Sequence, residues 1–325
     1  MKAVWYEKFG EAADVLVHGD MPDPAPAAGE VVVRVRASGV NPSDVKLRSG
    51  ARPGSVMAYP RIIPHSDGAG EIVDVGAGVD KARIGERVWI WNGQWQRPFG
   101  TAADFVALPS TQAVALPDNV SFDDAACFGI PAMTAWAAVC GGGSVEGKTV
   151  LVTGGAGTVG RYACQMARLS GARVITTTSS EAKAKHSTAD EWVNYSQGNV
   201  VAEVMEMTNG EGVDRIVDVD FGANQDANLA LVKAAGSITA YASAADMAPT
   251  LQFYPFMFKN VTLHMLIVYL LDPAMRKAGE AQLTKWLEAG QLRHAAVLSG
   301  GLGDCVAAHD RVMAGEKLGT VVLSN

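Results

Sequence analysis

Residues 149–169 read TVLVTGGAGTVGRYACQMARL. TVLVT is a short, continuous apolar run rich in β-branched residues, the pattern of a buried strand. Gly155-Ala156-Gly157-Thr158-Val159-Gly160 then matches G-x-G-x-x-G, and GRYACQMARL continues as a helix. Strand, glycine turn and helix in that order are the context that gives the motif meaning. The glycines permit a tight turn and let backbone approach a pyrophosphate. The free N–H groups at the helix start then meet its negative charge. The plain structural alternative is the same turn without a ligand.

The next strand, 173–177, runs into Thr178-Ser179-Ser180 with no carboxylate to accept a ribose 2′-hydroxyl. Small hydroxyls followed by Lys183 and Lys185 suit a 2′-phosphate instead, which points to NADPH rather than NADH. Glu181 could turn inward against this, and Lys183 could be an ordinary solvated helix residue.

Farther out, helix and strand signals keep alternating. Residues 123–138 are Ala-rich and helix-like; DRIVDV (214–219) and SITAY (237–241) read as strands, with NLALVKAAG as a helix between them. This is the βαβ alternation of a parallel sheet covered by helices. The first third is different. VVVRV (31–35), EIVDVG (71–76), ERVWIW (86–91), DFVALP (104–109) and AVALP (113–117) read as strands punctuated by Gly and Pro, with no convincing helix before about residue 122. After residue 263 come a helix at 273–289 and a closing strand GTVVLS at 319–324. The boundary between the β-rich and α/β parts falls near residues 122–128, and the segment after about 265 is expected to return to the first part.

The 325 residues suit two domains, and 48% hydrophobic with 19% charged residues fits a well-packed α/β protein. A formal charge of −7 without a basic run gives no footing for nucleic acid or a membrane surface. Cys127, Cys140, Cys164 and Cys305 are scattered without a C-x-x-C spacing, so neither a disulfide framework nor a structural zinc is expected and a reducing cytoplasm fits. The opening MKAVWYEKFG has no apolar core of a signal peptide. LHMLIVYLL at 263–271 is too short for a membrane span and reads as a buried strand or core helix. NVTLHMLIVYL at 260–270 would be the last strand of the nucleotide sheet, and pairing of such edges predicts a homodimer.

GVNPSDVKLRSG (39–50), PHSDGAGEIVDVG (64–76), FGIPAMTAW (128–136), VLVTGGAGTVG (150–160) and the late VVLS together carry a resemblance. The chain resembles the medium-chain dehydrogenase/reductase superfamily along nearly its whole length, and within it the zinc-free quinone oxidoreductase branch that includes zeta-crystallin. The resemblance implies a GroES-like β-rich catalytic domain, 1–124 with 265–325, and a Rossmann NADPH-binding domain with a doubly wound parallel sheet, 125–264. A catalytic zinc enzyme of this superfamily would show an early Cys and Gly-His-Glu before Gly-Ala-Gly. Here Asn41 takes the first place, Ser66 stands at the ligand His and Asp67 at the acid, while His65 is one position early. The four-cysteine lobe is absent too, so no metal is expected; His65, Asp67 and Asp44 are a conceivable residual trio, with His65 as a turn residue the alternative.

Without zinc ligands, the expected chemistry is hydride transfer from NADPH to a quinone or an α,β-unsaturated carbonyl. The resemblance implies Asn41 beside the nicotinamide ribose and reaction centre, and Asp44 as the acid of the same loop or as a turn cap. It implies Thr134 near the cofactor phosphates, Ser179, Ser180, Lys183 and Tyr195 around the 2′-phosphate, Phe221, Gly222, Asn224, Tyr241, Ala242 and Ser243 along the riboses, and Leu266, Ile267 and Val268 against the carboxamide. Lys46 replaces the Tyr this branch often has in the pocket, and Gly319-Thr320 replaces its Gly-Lys. Trp91, in the aromatic loop WIWNGQWQRPFG, and Tyr59 are candidate pocket residues; barrel-edge packing and an exposed loop tyrosine are the alternatives. Two other functions fit less directly. An enoyl-thioester reductase would use Lys46, Arg48, Arg52 and Arg61 as a cationic patch, and a weakly catalytic NADPH-binding structural or RNA-binding protein is opposed by the acidic balance.

Overall fold

The computed structural model describes residues 1–51, 54–315 and 318–325. In chain order the elements are β1 (Lys2–Trp5), α1 (Ala12–Val15), β2 (Val17–Asp20), β3 (Glu30–Val40), α2 (Pro42–Ser49), β4 (Asp67–Val75), β5 (Arg87–Ile90), β6 (Phe105–Pro109), β7 (Ala113–Ala115), α3 (Phe122–Ala125), α4 (Met133–Cys140), β8 (Thr149–Val152) and α5 (Thr158–Leu169). There follow β9 (Arg173–Thr178), α6 (Glu181–Ser187), β10 (Glu191–Asn194), α7 (Val200–Met207), β11 (Val213–Asp218), α8 (Phe221–Leu231), β12 (Val232–Ala240), α9 (Phe253–Phe258), β13 (Thr262–Met265), α10 (Pro273–Glu288), β14 (Ala296–Leu298), α11 (Cys305–Ala314) and β15 (Thr320–Ser324). The chain forms two compact units, residues 1–130 with 280–325, and residues 131–279.

In the first unit a seven-stranded sheet runs β14-β15-β3-β4-β5-β7, with β6 also paired to β3. The long strand β3 bears the dense valine run, and Val31, Val33 and Val35 pack with Ile72, Val88, Ile90 and Leu108 in one buried cluster. β15 lies antiparallel to β3, with Val321 opposite Val40. A second cluster joins Val40, Val45 and Ile63 to Ala308, Val312 and Val321, which seats α11 on the sheet. The sequence expectation missed α2. Its eight residues are too few for a clear periodic signal, and Pro42 and Asp44 in its first turn, with Gly50 closing it in a left-handed conformation, define it instead.

The second unit is a six-stranded sheet in the order β10-β9-β8-β11-β12-β13, with every neighbouring pair parallel. Leu151, Ile175, Ile216 and Ile238 form the core against Phe221, Leu231 and Phe256. Three expectations shift here. The helix-like 123–138 is broken into α3, a wide π-type turn over Phe128–Ala132 containing Pro131, and α4. The helix expected at NLALVKAAG ends at Leu231, and VKAAG opens β12, where Val232 pairs with Val213 of β11 and pairing with both β11 and β13 begins at Ser237. The apolar run after 263 is only partly buried: Leu266 and Val268 are buried, while Met265 is 59% exposed and Leu270 66% exposed at the sheet edge. At the other end of the α4 helix, Arg215 from β11 donates to the carbonyls of Gly142 (2.6 Å) and Gly143 (3.0 Å), so a buried cation closes the helix terminus.

Candidate active site

The glycine turn lies at the carboxyl end of β8, the strand beside which the sheet order reverses toward β11, the usual place for a ligand in an open parallel sheet. Gly154 has φ +67°, a conformation that favours glycine. A Cβ on Gly155 would overlap the Thr176 hydroxyl and come within 2.9 Å of Thr176 Cβ, and one on Gly160 would come within 2.8 Å of Gly155 Cα. Each glycine therefore has a packing reason. Gly157 caps α5, whose first residues are Thr158, Val159 and Gly160. The twelve-residue α5 thus points its positive end at this turn.

The turn is braced by threonines of β9. Gly154 N–H donates to Thr177 Oγ1 and Gly155 N–H to Thr176 Oγ1, both at 3.1 Å, while Thr176 Oγ1 donates to the Val152 carbonyl at 2.7 Å. The hydroxyls beyond them stand in a different place. Lys183 Nζ donates to Ser179 Oγ at 2.9 Å on the exposed surface, and Ser180 caps α6 by accepting from Lys183 N–H at 3.4 Å. Tyr195 donates its backbone N–H to the Thr178 carbonyl at 3.1 Å, and its ring is exposed.

The other expected cofactor residues follow the remaining strand ends. Tyr241 and Ala242 follow β12; Tyr241 N–H donates to the Asp218 carbonyl and the Ala242 carbonyl accepts from Phe221 N–H. Gly222 N–H donates to Ser243 Oγ at 2.9 Å. Leu266, Ile267 and Val268 follow β13, with Leu266 N–H bonded to the Ala240 carbonyl and Ile267 exposed. All of these cluster at the carboxyl edge of one sheet. The Phe221 ring, however, is in the core against Phe256, with centroids 6.5 Å apart. Thr134 is buried on α4.

Asp218 was missed, and it organises this edge. Fully buried, it accepts from Thr153 Oγ1 (2.8 Å), Asn224 Nδ2 (2.7 Å) and Asn228 Nδ2 (2.8 Å). Asn224 therefore spends an amide proton on Asp218. The D-V-D-F-G-A-N-Q-D-A-N run after β11 held the signal, with asparagines four apart on one helical face.

In the first unit, Asn41 caps α2 and its backbone N–H donates to Asp44 Oδ2 at 2.7 Å. Asp44 is thus the acid of a helix cap. Asn41 Nδ2 donates to Asp67 Oδ2 at 2.7 Å, and Ile130 N–H donates to both oxygens of Asp67 at 2.8 and 3.0 Å. Asp67 is fully buried. Burial pushes its carboxyl well above the ordinary range and the Asp44 charge pushes the same way, against the pull of the Ile130 and Asn41 donors. Gly129 makes room for it: a Cβ there would overlap Asp67 Oδ1.

The residues at this place do not fit a catalytic zinc. Asn41 presents an amide N–H donor to Asp67 where a thiolate would be needed, and Ser66 stands where an imidazole would. His65 is not part of a trio with Asp67 and Asp44; its ring bonds Ser38 and His309. Lys46 is exposed, Tyr59 OH donates to the Gln96 carbonyl at 2.7 Å, and Trp91 is buried. Trp89 is core, edge-on to Phe128. The supposed cationic patch does not form as expected: Arg48 is fully buried and Arg61 is paired with Glu7. Arg52 lies outside the described residues.

A unit built on the glycine turn of a parallel sheet, joined in one chain to a β-rich unit with this Asn41–Asp67 pair, defines a medium-chain dehydrogenase/reductase. Residues 27–118 match the alcohol dehydrogenase GroES-like domain and residues 158–285 the zinc-binding dehydrogenase family. The chain is 31% identical over 245 residues to a quinone oxidoreductase of Rattus norvegicus, covering 73% of this chain and 72% of that one. It is 29% identical over 329 residues to a quinone oxidoreductase of Pseudomonas aeruginosa, with 99% of each chain covered. A mycobacterial protein solved in complex with NADPH superimposes with a TM-score of 0.87 at 28% identity, covering 100% of both chains. The chain belongs to the quinone oxidoreductase branch of the medium-chain dehydrogenase/reductase superfamily.

Proposed function

We propose that this protein reduces quinones or α,β-unsaturated carbonyls with NADPH and without zinc. The observation that carries the reading is the glycine turn at the head of α5, with Ser179 and Lys183 bonded to each other at the next strand end, while the intervening Glu181 is paired with Lys185 at 2.9 Å on the exposed surface. The α5 N-terminus and the bare backbone of Gly155 and Gly157 would hold a diphosphate; Lys183 with Ser179 would hold the 2′-phosphate. When bound, NADPH supplies the hydride. The chain supplies order around it. Asn41 is held by Asp67, and its position is fixed before any ligand arrives. The reduced oxygen of the substrate needs a hydrogen-bond donor and then a proton, a demand that a polar group or water meets without a metal.

NADPH and NADH oxidation, followed with 1,4-benzoquinone, 9,10-phenanthrenequinone, an enone and crotonyl-CoA in parallel, tests this. Turnover of a quinone or enone with NADPH preferred is expected. Turnover confined to crotonyl-CoA, or none on all four, would overturn the substrate class. Lys183→Ala should raise KM for NADPH about tenfold, the equivalent of ~1.4 kcal/mol, and leave KM for NADH unchanged. Equal effects on both would remove the 2′-phosphate assignment.

The apolar edge of the second unit is read as a homodimer interface. Met265, Ile267 and Leu270 are exposed on and beside the edge strand β13, and Phe253, Tyr254 and Phe258 of the nearby α9 are exposed as well. Sedimentation at micromolar concentration should show a dimer, and a monomer there would remove this part.

A further inference from the structure

The polar interior of the first unit holds a chain of hydrogen bonds whose direction follows from counting protons. Thr101 Oγ1 donates its single proton to the Asp67 carbonyl at 2.5 Å. It can then only accept from Ser38 Oγ, 2.9 Å away. Ser38, its proton spent, accepts from His65 Nδ1–H at 2.8 Å. Burial holds His65 neutral, so its Nε2 carries a lone pair, to which His309 Nε2–H donates at 2.9 Å. Cys305 Sγ lies 3.9 Å from the same His65 nitrogen. Cys305 and His309 are four residues apart on α11 and share its face. His65 faces them from a left-handed backbone conformation, φ 77°. His65 and His309 are 0% exposed and Cys305 2%, and the three donor atoms all lie within 4.8 Å of one another.

We infer that His65 Nε2, His309 Nε2 and Cys305 Sγ bind one soft metal ion, Cu(I), in a three-coordinate site separate from the nucleotide turn. The donor set is the soft thiolate and imidazole pair that selects such ions. His65 already has the tautomer of a ligand, with its Nδ1–H anchored on Ser38 in the manner of a ligand's supporting hydrogen bond. Charge separates the candidate ions. A thiolate with Cu(I) is neutral, whereas a thiolate with Zn(II) leaves a net positive charge in a fully buried place. The buried Arg48 guanidinium acts on His309 and adds to that cost, while at Cys305 the Asp44 carboxylate acts first and in the opposite sense to Arg48. Structural zinc also takes four ligands, and among the described residues no fourth His, Cys, Asp or Glu joins the cluster. On uptake the Cys305 S–H bond breaks and an S–Cu bond forms. That proton leaves to solvent, the His309 proton moves from Nε2 to Nδ1, and copper stays Cu(I).

The reduced protein is titrated with Cu(I) against a chromophoric Cu(I) chelator, and separately with Zn(II). Metal per chain after gel filtration and the midpoint of thermal unfolding are both read. Stoichiometric Cu(I), a raised unfolding midpoint and a loss of affinity of roughly 100-fold or more in Cys305→Ala and His309→Gln are expected. Cys140→Ser, on a half-buried thiol elsewhere, should change nothing. Should His309→Gln not fold, Cys305→Ala decides alone, since it removes only a sulfur atom. Absence of Cu(I) uptake, uptake undiminished in Cys305→Ala, or Zn(II) held more tightly than Cu(I) would overturn the assignment.

Discussion

Gly129→Ala is a small change with a large expected cost. A methyl at this position would overlap Asp67 Oδ1, lie 2.8 Å from Asp67 Cγ, and lie 2.8 Å from the Ile90 carbonyl oxygen. Ile90 is backbone of β5, paired with β4 in the middle of the sheet, and cannot yield. The carboxyl must move, and it is held by Ile130 N–H on both oxygens and by Asn41 Nδ2. Hydrogen bonds to a charged or buried group of this kind are worth about 1.5–3 kcal/mol each, and overpacking costs about 1–3 kcal/mol. With partial relaxation, a loss of about 3–5 kcal/mol is expected, or roughly 6–20 °C in Tm at about 2–4 °C per kcal/mol. Gly303→Ala in the same unit, where a Cβ meets nothing closer than 3.8 Å, should stay within about 0.5 kcal/mol. Urea unfolding measures both. The cause is isolated by repeating Gly129→Ala in an Asp67→Ala background, where it should cost at least about 1 kcal/mol less. Equal costs in the two backgrounds would refute the argument that Asp67 is what the glycine accommodates. kcat should fall with Gly129→Ala as well, because Asn41 loses its anchor.

Asp67→Asn tests the electrostatics of the same site. A carboxyl raised in the folded state favours folding in its protonated form; that contribution is complete below about pH 4, the unfolded value, and is lost as pH rises through the folded value. The wild type should therefore lose stability relative to the non-titrating variant as pH climbs from about 4, and a difference flat with pH would refute it. Gly155→Ala pushes a methyl into the Thr176 hydroxyl that braces the turn, and should weaken NADPH binding by about 100-fold in a fluorescence titration. Binding within threefold of wild type would show that the turn does not contact the cofactor.

Local signals were legible and distant ones were not. Residues 149–160 announce themselves because strand, turn and helix N-terminus are contiguous, and Gly155 and Gly160 answer clashes with the neighbouring strand and the turn itself. The strands of the first unit were likewise visible as β-branched runs. What the sequence hid was pairing across long separations. Asp67 could be matched to a position, but its donors come from Asn41 and Ile130, on either side of it and far away in sequence. His65 could be read as a turn residue or grouped with the nearby Asp67 and Asp44, but not with its actual partner, because His309 lies 244 residues on. The VKAAG difference has the same origin: a segment with helical propensity leads into β12, whose following residues 237–240 are held by β11 and β13 on either side. The partial exposure of 265–270, where Met265, Ile267 and Leu270 face outward and Leu266 and Val268 inward, has another cause, since hydropathy reports what a segment would prefer and not which face its neighbours leave open.

β15 sits between β14 and β3 in the sheet of the first unit, paired with the strand that carries the valine run at 31–35. In synthesis order, therefore, β3 waits for a partner that leaves the ribosome only after the whole parallel sheet has emerged. The parallel sheet, whose strands all come from one continuous segment, can mature first, while the strands made before it keep an open sheet flank until residues 320–324 emerge. Nascent chains stalled shortly before residue 320 should accordingly be protease-resistant in the second unit and cleavable in the first.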